Sequence, residues 1–482
     1  MIQRRHHALD ELAHIAADQY HCPTISWGLV LGGTLATSGS TGSLRDGRAP
    51  DEHTVYRIAS MTKSFTAAAV LGLRDEGAFG LDDPVARYAP ELAAVKGPPG
   101  SPPITLRHLL GMAAGLPTDD AWADRHLDMT PDEIDQVYAC SPAFAHHTNV
   151  AYEYSNLGFG MIGRTVRRAT GRRLQDHVTE RFLGPLGLDE TTWVEPGHGG
   201  WARPHRWQDG ASIADEPHPI GDGEISPMGG LWTTVHDLAT WIAWLDDANT
   251  RPHQPDAIAL SPASRREMQR INTYAGVTTL AGRSCPSGYG FGLSLRDDPA
   301  LGMVVGHSGG LPGYGSNMRW LAGRGVGVIA LANTTYAEMG ELTMRMLVAL
   351  HDLGTAQNHT PAVSPMLRSA AERLVSLLNH WSDGVATELF ADNVALDEPF
   401  HRRAAVAGRF VAQHGTLRVV AVHAVSTTSG NIEVQGDTDT DTDTDTDTDG
   451  ILIRIELAPV CGAPIQLYDL PELESGVITP TG

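Results

Sequence analysis

The sequence predicts an α+β protein in two domains. Two observations carry this. Strand-like stretches lie near both ends of residues 1–356 with helical patterns between them, the arrangement in which the termini of a domain meet in one antiparallel sheet. Beyond them, Gln357–Pro365 reads as a linker by composition and is followed by a shorter run of helix and strands over 366–482, a small α+β accessory domain.

The elements follow in order. Leu9, Leu12, Ile15, Ala16 and Tyr20 make an amphipathic opening helix. Thr24–Leu31 and Thr34–Gly39 read as strands around Gly32-Gly33, a hairpin signal. Arg57–Gly77 reads as one helix with Ser60 in its first turn and Gly77 as its stop; Ala67, Ala68, Ala69, Val70, Leu71 and Leu73 make it apolar nearly all round, hence buried. Thr105 caps a short helix through Leu110, and Asn156–Thr170 makes another, ended by Gly171. Thr234-Val-His-Asp237 is a capping box opening a helix through Trp241 to Leu245. Met303–Val305, Asn317–Leu321 and Val326–Leu331 read as three closely spaced strands, and a helix over Ala337–Leu350 ends at Gly354. In the accessory domain a helix over Met366–Trp381 and a second short one precede strands around Leu417–Val425, Ile432–Val434 and Ile451–Leu457.

A buried helix that opens with a serine and a lysine is anomalous, and the anomaly is chemical. Ser60 and Lys63, at i and i+3, share a helix face. A serine hydroxyl is a poor nucleophile until its proton is taken, and a desolvated lysine has its pKa lowered towards that task. A helix N-terminus also aims N–H groups at an oxyanion. Of 35 basic residues only Lys63 and Lys96 are lysines. Arginine serves on most surfaces but never gives up its proton, so position 63 reads as one where only lysine would do. The bland alternative is a snorkelling lysine in a common tetrapeptide.

Composition narrows the function classes. The 482 residues are 41% hydrophobic, ample for cores, and carry a net charge of −22, which disfavours nucleic acid or anionic membrane as partner. Residues 1–12 show no apolar region behind their basic residues, and no run of about 18 apolar residues occurs, so neither signal peptide nor membrane span is expected. Cys22, Cys140, Cys285 and Cys461 lack metal or disulfide spacing. The default is a cytoplasmic protein with no metal and no cofactor, acting on a small molecule. The accessory domain could recognise substrate, shield the cleft or support a homodimer.

Two more motifs raise the specificity of Ser60-x-x-Lys63: Tyr154-Ser155-Asn156 just ahead of a helix, and His307-Ser308-Gly309 after a strand. In this order and spacing the chain resembles the serine β-lactamase and penicillin-binding-protein superfamily, most closely the branch of class C β-lactamases, D-aminopeptidases and related esterases. The resemblance runs over about residues 20–350 and includes Gly77-x-x-x-Leu81-Asp82-Asp83-Pro84-Val85, Thr105–Leu110 and Gly229-Gly230-Leu-Trp-Thr-Thr234. It implies an antiparallel sheet flanked by helices with a helical subdomain. It also implies a serine hydrolase acting through an acyl-enzyme on a small ester, amide or D-amino-acid-containing peptide. By the resemblance Ser60 is the acylated nucleophile, Lys63 its proton partner, Tyr154 the general base and proton shuttle, and Asn156 the side chain orienting substrate and Lys63. His307, Ser308 and Gly309 form the third motif on the strand edging the site, and the N–H groups of Ser60 and Gly310 form the oxyanion hole.

A tyrosine acts as base near neutral pH only beside cations, which Lys63 and a protonated His307 would supply. His307 is the departure, since most members carry lysine there to hold a substrate carboxylate. The expectation is therefore preference for substrates without an obligatory carboxylate, or with a free amine, and slow turnover of penicillins. The alternatives are a true β-lactamase or D-Ala-D-Ala carboxypeptidase and, in another class, a β-lactam- or peptide-binding or biosynthetic acyl-transfer module without hydrolytic turnover. Retention of all five residues argues against a dead site.

Two rival motifs fail on context. Gly306-His-Ser-Gly-Gly310 satisfies the G-x-S-x-G elbow, but the Gly-Gly-Leu-Pro-Gly that follows Ser308 cannot be the helix an elbow requires. Asp445, Asp447, Asp449, Gly450 and Glu456 match an EF-hand loop, yet the Asp-Thr repeat over 437–450 generates such ligands at every register and Ile451–Leu457 reads as strand. The tract, source of seven negative charges, reads as a disordered hairpin loop.

Overall fold

The computed structural model describes residues 1–197, 200–214, 221–250, 260–355, 363–437 and 451–471. It divides into two compact units, Met1–Asn358 and His359–Gly482. Most of the expected linker, 357–362, and the Asp-Thr tract after Asp437 lie outside the described residues. Pro365 is the first residue of a helix, with Ser364 Oγ accepting from Leu367 N at 3.1 Å.

The first unit opens with α1 (Ile2–Gln19), β1 (Thr24–Leu31), β2 (Thr34–Gly42) and β3 (Tyr56–Arg57), then a single 3-10 turn, Ala59–Met61, and α2 (Thr62–Asp75). The single helix expected over Arg57–Gly77 is thus shorter: Arg57 ends β3, Ser60 lies in the 3-10 turn, and the α-helix begins at Thr62. A helical region follows: α3 (Leu106–Leu110), α4 (Asp120–Ala123), α5 (Pro131–Ala139), α6 (Asn156–Thr170), α7 (Leu174–Val178) and α8 (Gly184–Leu186). Next come β4 (His205–Gln208), β5 (Ala211–Ala214), β6 (Trp232–Thr233), α9 (Val235–Thr250) and α10 (Pro262–Met268). Six strands, β7 (Thr273–Leu280), β8 (Arg283–Tyr289), β9 (Ser294–Asp298), β10 (Gly302–Leu311), β11 (Tyr314–Leu321) and β12 (Val326–Ala332), lead to α11 (Met339–Asp352).

Eight strands form one antiparallel sheet in the order β2-β1-β12-β11-β10-β9-β8-β7, so the two ends of the unit do meet, β1 against β12. Strand periodicity sorts the side chains. Ile25, Trp27 and Leu29 of β1 with Val328, Ala330 and Ala332 of β12 join the core shared with α1 and α11. Val30, Ile329 and Leu331 join the larger core containing α2 and α9. Every residue of α2 from Thr62 to Leu73 is buried, as its apolar circumference requires. Helix caps stand where the sequence put them: Thr105 and His108 form a reciprocal box, Ser155 caps α6 and Gly171 ends it at φ +75°.

Three strands of the eight-stranded sheet, β7, β8 and β9, escaped the sequence reading. Residues 273–298 are rich in Thr, Ser, Gly and Arg, and β8 contains Pro286. Proline gives up only a donor, and β9 pairs with β8 only at Ser287, Gly288 and Tyr289, past that point. Neighbouring strands, not an apolar run, make this segment β.

The second unit comprises α12 (Pro365–Asn379), α13 (Asp383–Leu389), α14 (Asp392–Asp397) and α15 (Phe400–His414), then β13 (Arg418–Ala424), β14 (Ser429–Gln435), β15 (Ile451–Leu457) and β16 (Ile465–Asp469) in an antiparallel sheet of that order. It has four helices where two were expected, around its own core of Leu367, Leu374, Phe410, Ile432 and Ile453. Glu456, the last ligand of the EF-hand match, lies in β15 and pairs with Ser429.

Candidate active site

The turn Ala59–Met61 packs against β10 and β11, which brings Ser60 beside the strand carrying His307–Gly310. Two close fits set that approach. A Cβ on Gly309 would lie 2.1 Å from Ile58 O, so only glycine admits the turn. Ser316 Oγ then donates to Ile58 O at 2.9 Å. The residue before Ser60, Ala59, is held at φ +47° and is 2% exposed, a left-handed conformation that costs a non-glycine residue about 1–2 kcal/mol.

Lys63 is fully buried, and its Nζ lies 2.9 Å from Ser60 Oγ, 2.7 Å from Asn156 Oδ1 and 2.9 Å from Met228 O. Burial pushes its amine down to about 7, against the opposing pull of Asp120, Asp124 and Asp119. The partner set suits a neutral amine. Asn156 Oδ1 and Met228 O can only accept, so they take its two N–H bonds and leave the lone pair to the Ser60 hydroxyl. Asn156 is aimed by the start of α4 and its N-cap: its Nδ2 donates to Asp120 Oδ1 at 2.7 Å, while Asp119 accepts from the backbone of Asn156 and Leu157 at 2.7 and 2.8 Å.

Tyr154, half-buried, is hydrogen-bonded to Ser60, and its ring lies 4.8 Å from Lys63 Nζ. Burial raises its pKa well above the usual tyrosine value. His307 is 4% exposed, with Nδ1 2.5 Å from Ser308 O and Nε2 2.8 Å from Tyr289 Oη. A carbonyl only accepts, so Nδ1 carries the hydrogen and Nε2 accepts from the tyrosine: both nitrogens are satisfied in the neutral ring. Burial first, and Lys63 next, push its pKa down to about 3. This corrects the expectation that a protonated His307 helps Tyr154 ionise. Residue 307 therefore brings no charge to favour phenolate.

Ser60, Tyr154, His307, Ser308, Gly309 and Gly310 all line one cavity of about 590 Å³. Ser308 sits inside β10, cross-strand from Asn317, whose Nδ2 donates to its Oγ at 2.8 Å; no strand-to-helix elbow exists there. All the site residues expected from sequence are thus gathered at one place.

Among the cavity residues that the sequence reading missed, two acids and two arginines bear most on the chemistry. Asp120 and Asp124 are the first residue and the C-terminal cap of α4, a one-turn helix with no motif of its own. Asp124 is 3% exposed, accepts from Tyr336 Oη at 2.9 Å and is pushed up to about 7 by burial. Arg296 and Arg319 stand on β9 and β11, the strands flanking β10, and each is 7% exposed. Arg319 pairs across from Gly306; its Nε is buried without a hydrogen-bond partner, and burial lowers it only to about 10. Only distances in the folded chain reveal these residues.

Comparison with known proteins agrees with this geometry. The profile of the family described as Beta-lactamase matches residues 8–353. Esterase EstB of Burkholderia gladioli is 28% identical over 344 residues, covering 63% of this chain and 84% of EstB. Protein flp of Staphylococcus aureus (strain MW2) is 24% identical over 284 residues, 58% of this chain and 53% of flp. Among solved structures, the octameric penicillin-binding protein homologue from Pyrococcus abyssi superposes with a TM-score of 0.61 at 19% identity, over 94% of this chain and 96% of that one.

Proposed function

This chain belongs to the beta-lactamase family, and from that premise we propose that it is a serine hydrolase acting through an acyl-Ser60 intermediate on a small ester, amide or D-amino-acid-containing peptide. The observation that carries this reading is the hydrogen-bond set of Lys63: two obligate acceptors and one hydroxyl around a fully buried amine. Lys63 takes the Ser60 proton as Oγ bonds to the substrate carbonyl carbon. The oxyanion is met by the N–H groups of Ser60 and Gly310. The ammonium so formed returns a proton, through the Tyr154 hydroxyl, to the leaving oxygen or nitrogen as its bond to carbon breaks. Water then repeats the sequence to release the acid and restore Ser60. Tyr154 relays a proton in this scheme and Lys63 is the base, since burial disfavours both phenolate and ammonium. Asp120 and Asp124 on the cavity wall favour a cationic amine on the substrate.

Esterase EstB, by its name, acts on esters, and its likeness to this chain supports the ester arm. A second reading, an amide or β-lactam bearing a carboxylate, is favoured by Arg319, a permanent cation where His307 gives none. The test is a panel of p-nitrophenyl acetate, D-alanyl p-nitroanilide, a D-Ala-D-Ala peptide and nitrocefin with wild type and Ser60→Ala. Ser60-dependent turnover of the acetate or the D-alanyl amide, with covalent labelling of Ser60 by a fluorophosphonate, is expected. Labelling that persists in Ser60→Ala overturns the mechanism. Nitrocefin turnover tenfold above the others selects the second reading.

A further inference from the structure

Three residues remote in sequence and unused by the proposed chemistry converge at one surface of the first unit: His53, ahead of β3; Glu190, after α8; and His236, in the first turn of α9. Each offers one ligand atom, and these atoms all lie within 4.8 Å of one another, the one such His/Cys/Asp/Glu group among the described residues. We propose that His53, Glu190 and His236 form a binding site for a divalent transition metal, zinc(II) before others.

The donor chemistry selects the ion. Two imidazoles and one carboxylate suit zinc, copper or nickel, whereas calcium and magnesium want oxygen sets. Tetrahedral zinc with bonds of about 2.1 Å separates its ligand atoms by roughly 3.4 Å. His53 Nδ1 already stands 3.0 Å from Glu190 Oε2, and both imidazoles are half-exposed, so closing the site takes side-chain shifts of about an ångström at the surface. Their ring centroids are 5.0 Å apart.

The surroundings are built for ligation. His236 Nδ1 lies 3.3 Å from Asp237 Oδ1, so a buried carboxylate orients the ring and leaves Nε2 to an ion, the support a metal-binding histidine usually has. Asp237 is itself fixed, accepting from Glu190 N at 3.0 Å and Thr191 Oγ1 at 2.8 Å. Glu190 Oε2 accepts from Thr234 Oγ1 at 3.0 Å, and His236 N donates to Glu52 O at 3.0 Å. The three backbones are therefore cross-tied before any ion arrives.

The experiment uses the full, untagged chain, stripped with chelator and titrated calorimetrically with zinc chloride at pH 7.5, alongside His53→Ala, His236→Ala and Glu190→Gln. One tight zinc equivalent, a rise in Tm with zinc but not with magnesium or calcium, and at least a tenfold weaker Kd in each variant are expected. Unchanged Kd and stoichiometry in the His53→Ala/His236→Ala double variant, with its circular dichroism intact, overturn the proposal, as does binding of no zinc by wild type. Binding is read independently of turnover, so this test fails or succeeds apart from the mechanism at Ser60.

Discussion

Two of the buried basic side chains at the Ser60 site are treated differently by desolvation. Lys63 has only neutral acceptors and the Ser60 hydroxyl around it, and burial brings its pKa to about 7. Arg319, on the strand beside His307–Gly310, is also buried, but burial takes it only to about 10. The same desolvation thus yields a group that exchanges protons near neutrality and a group that keeps its charge at any working pH. A third buried cation supplies the contrast. Arg164 of α6 meets Glu91 at 3.0 Å, Asp135 at 2.6 Å and Glu224 at 3.1 Å, and its carboxylates hold it charged. A buried cation with carboxylate partners is structural; one without them is available to a ligand or to a proton.

The largest effect expected from this contrast is at the lysine. Ser60→Ala, Lys63→Ala and Lys63→Arg each lower kcat/KM by roughly 10⁴-fold or more, arginine included, because it keeps the charge and loses the exchangeable proton. Steady-state kinetics on the best ester decides it; Lys63→Arg within tenfold of wild type would leave the proposed base without a role. Next comes the arginine. Arg319→Met is expected to lower kcat/KM for carboxylate-bearing substrates by about 1.5–3 kcal/mol, roughly 10- to 150-fold, and to spare p-nitrophenyl acetate. Equal losses on both would mean that Arg319 supports the strand and contacts no substrate.

The pH profile sharpens the comparison further. Lys63 must be neutral to accept the proton, so pre-steady-state acylation rises with pH through about 7 and then levels. Asp124 titrates in the same range, so Asp124→Asn is measured alongside and retains the limb if Lys63 is its source. His307 contributes no inflection between pH 5 and 8, since its folded pKa of about 3 lies below that window. The smallest effect concerns the backbone under Ser60. Ala59→Gly relieves a left-handed alanine but frees the unfolded chain, two terms of about 1 kcal/mol each that nearly cancel. Ala68→Gly in the middle of α2 gains no such relief and costs about 1 kcal/mol or more. Urea denaturation of the two variants should separate them.

The sequence by itself determined α2 and the chemistry at its start. An apolar circumference needs burial wherever it occurs, and a serine and lysine three residues apart share a face in any helical turn. It likewise determined the caps of α3 and α6, because a cap is a local hydrogen bond. The ends of the first unit met in the sheet, as strand-like stretches at 24–31 and 326–331 led the sequence reading to expect. Tertiary structure decided the rest. The neutrality of His307 depends on Tyr289, eighteen residues away on another strand, and on the exclusion of water from both. The cation the sequence reading sought at 307 stands at 319, on the next strand, where no motif points to it. Asp120 and Asp124 enter the site from the short helix α4 and its cap, and His53, Glu190 and His236 meet across 183 residues of chain. Residue type and local spacing fix what a side chain can do. Which charges survive burial depends on neighbours that only the folded chain brings within a few ångströms.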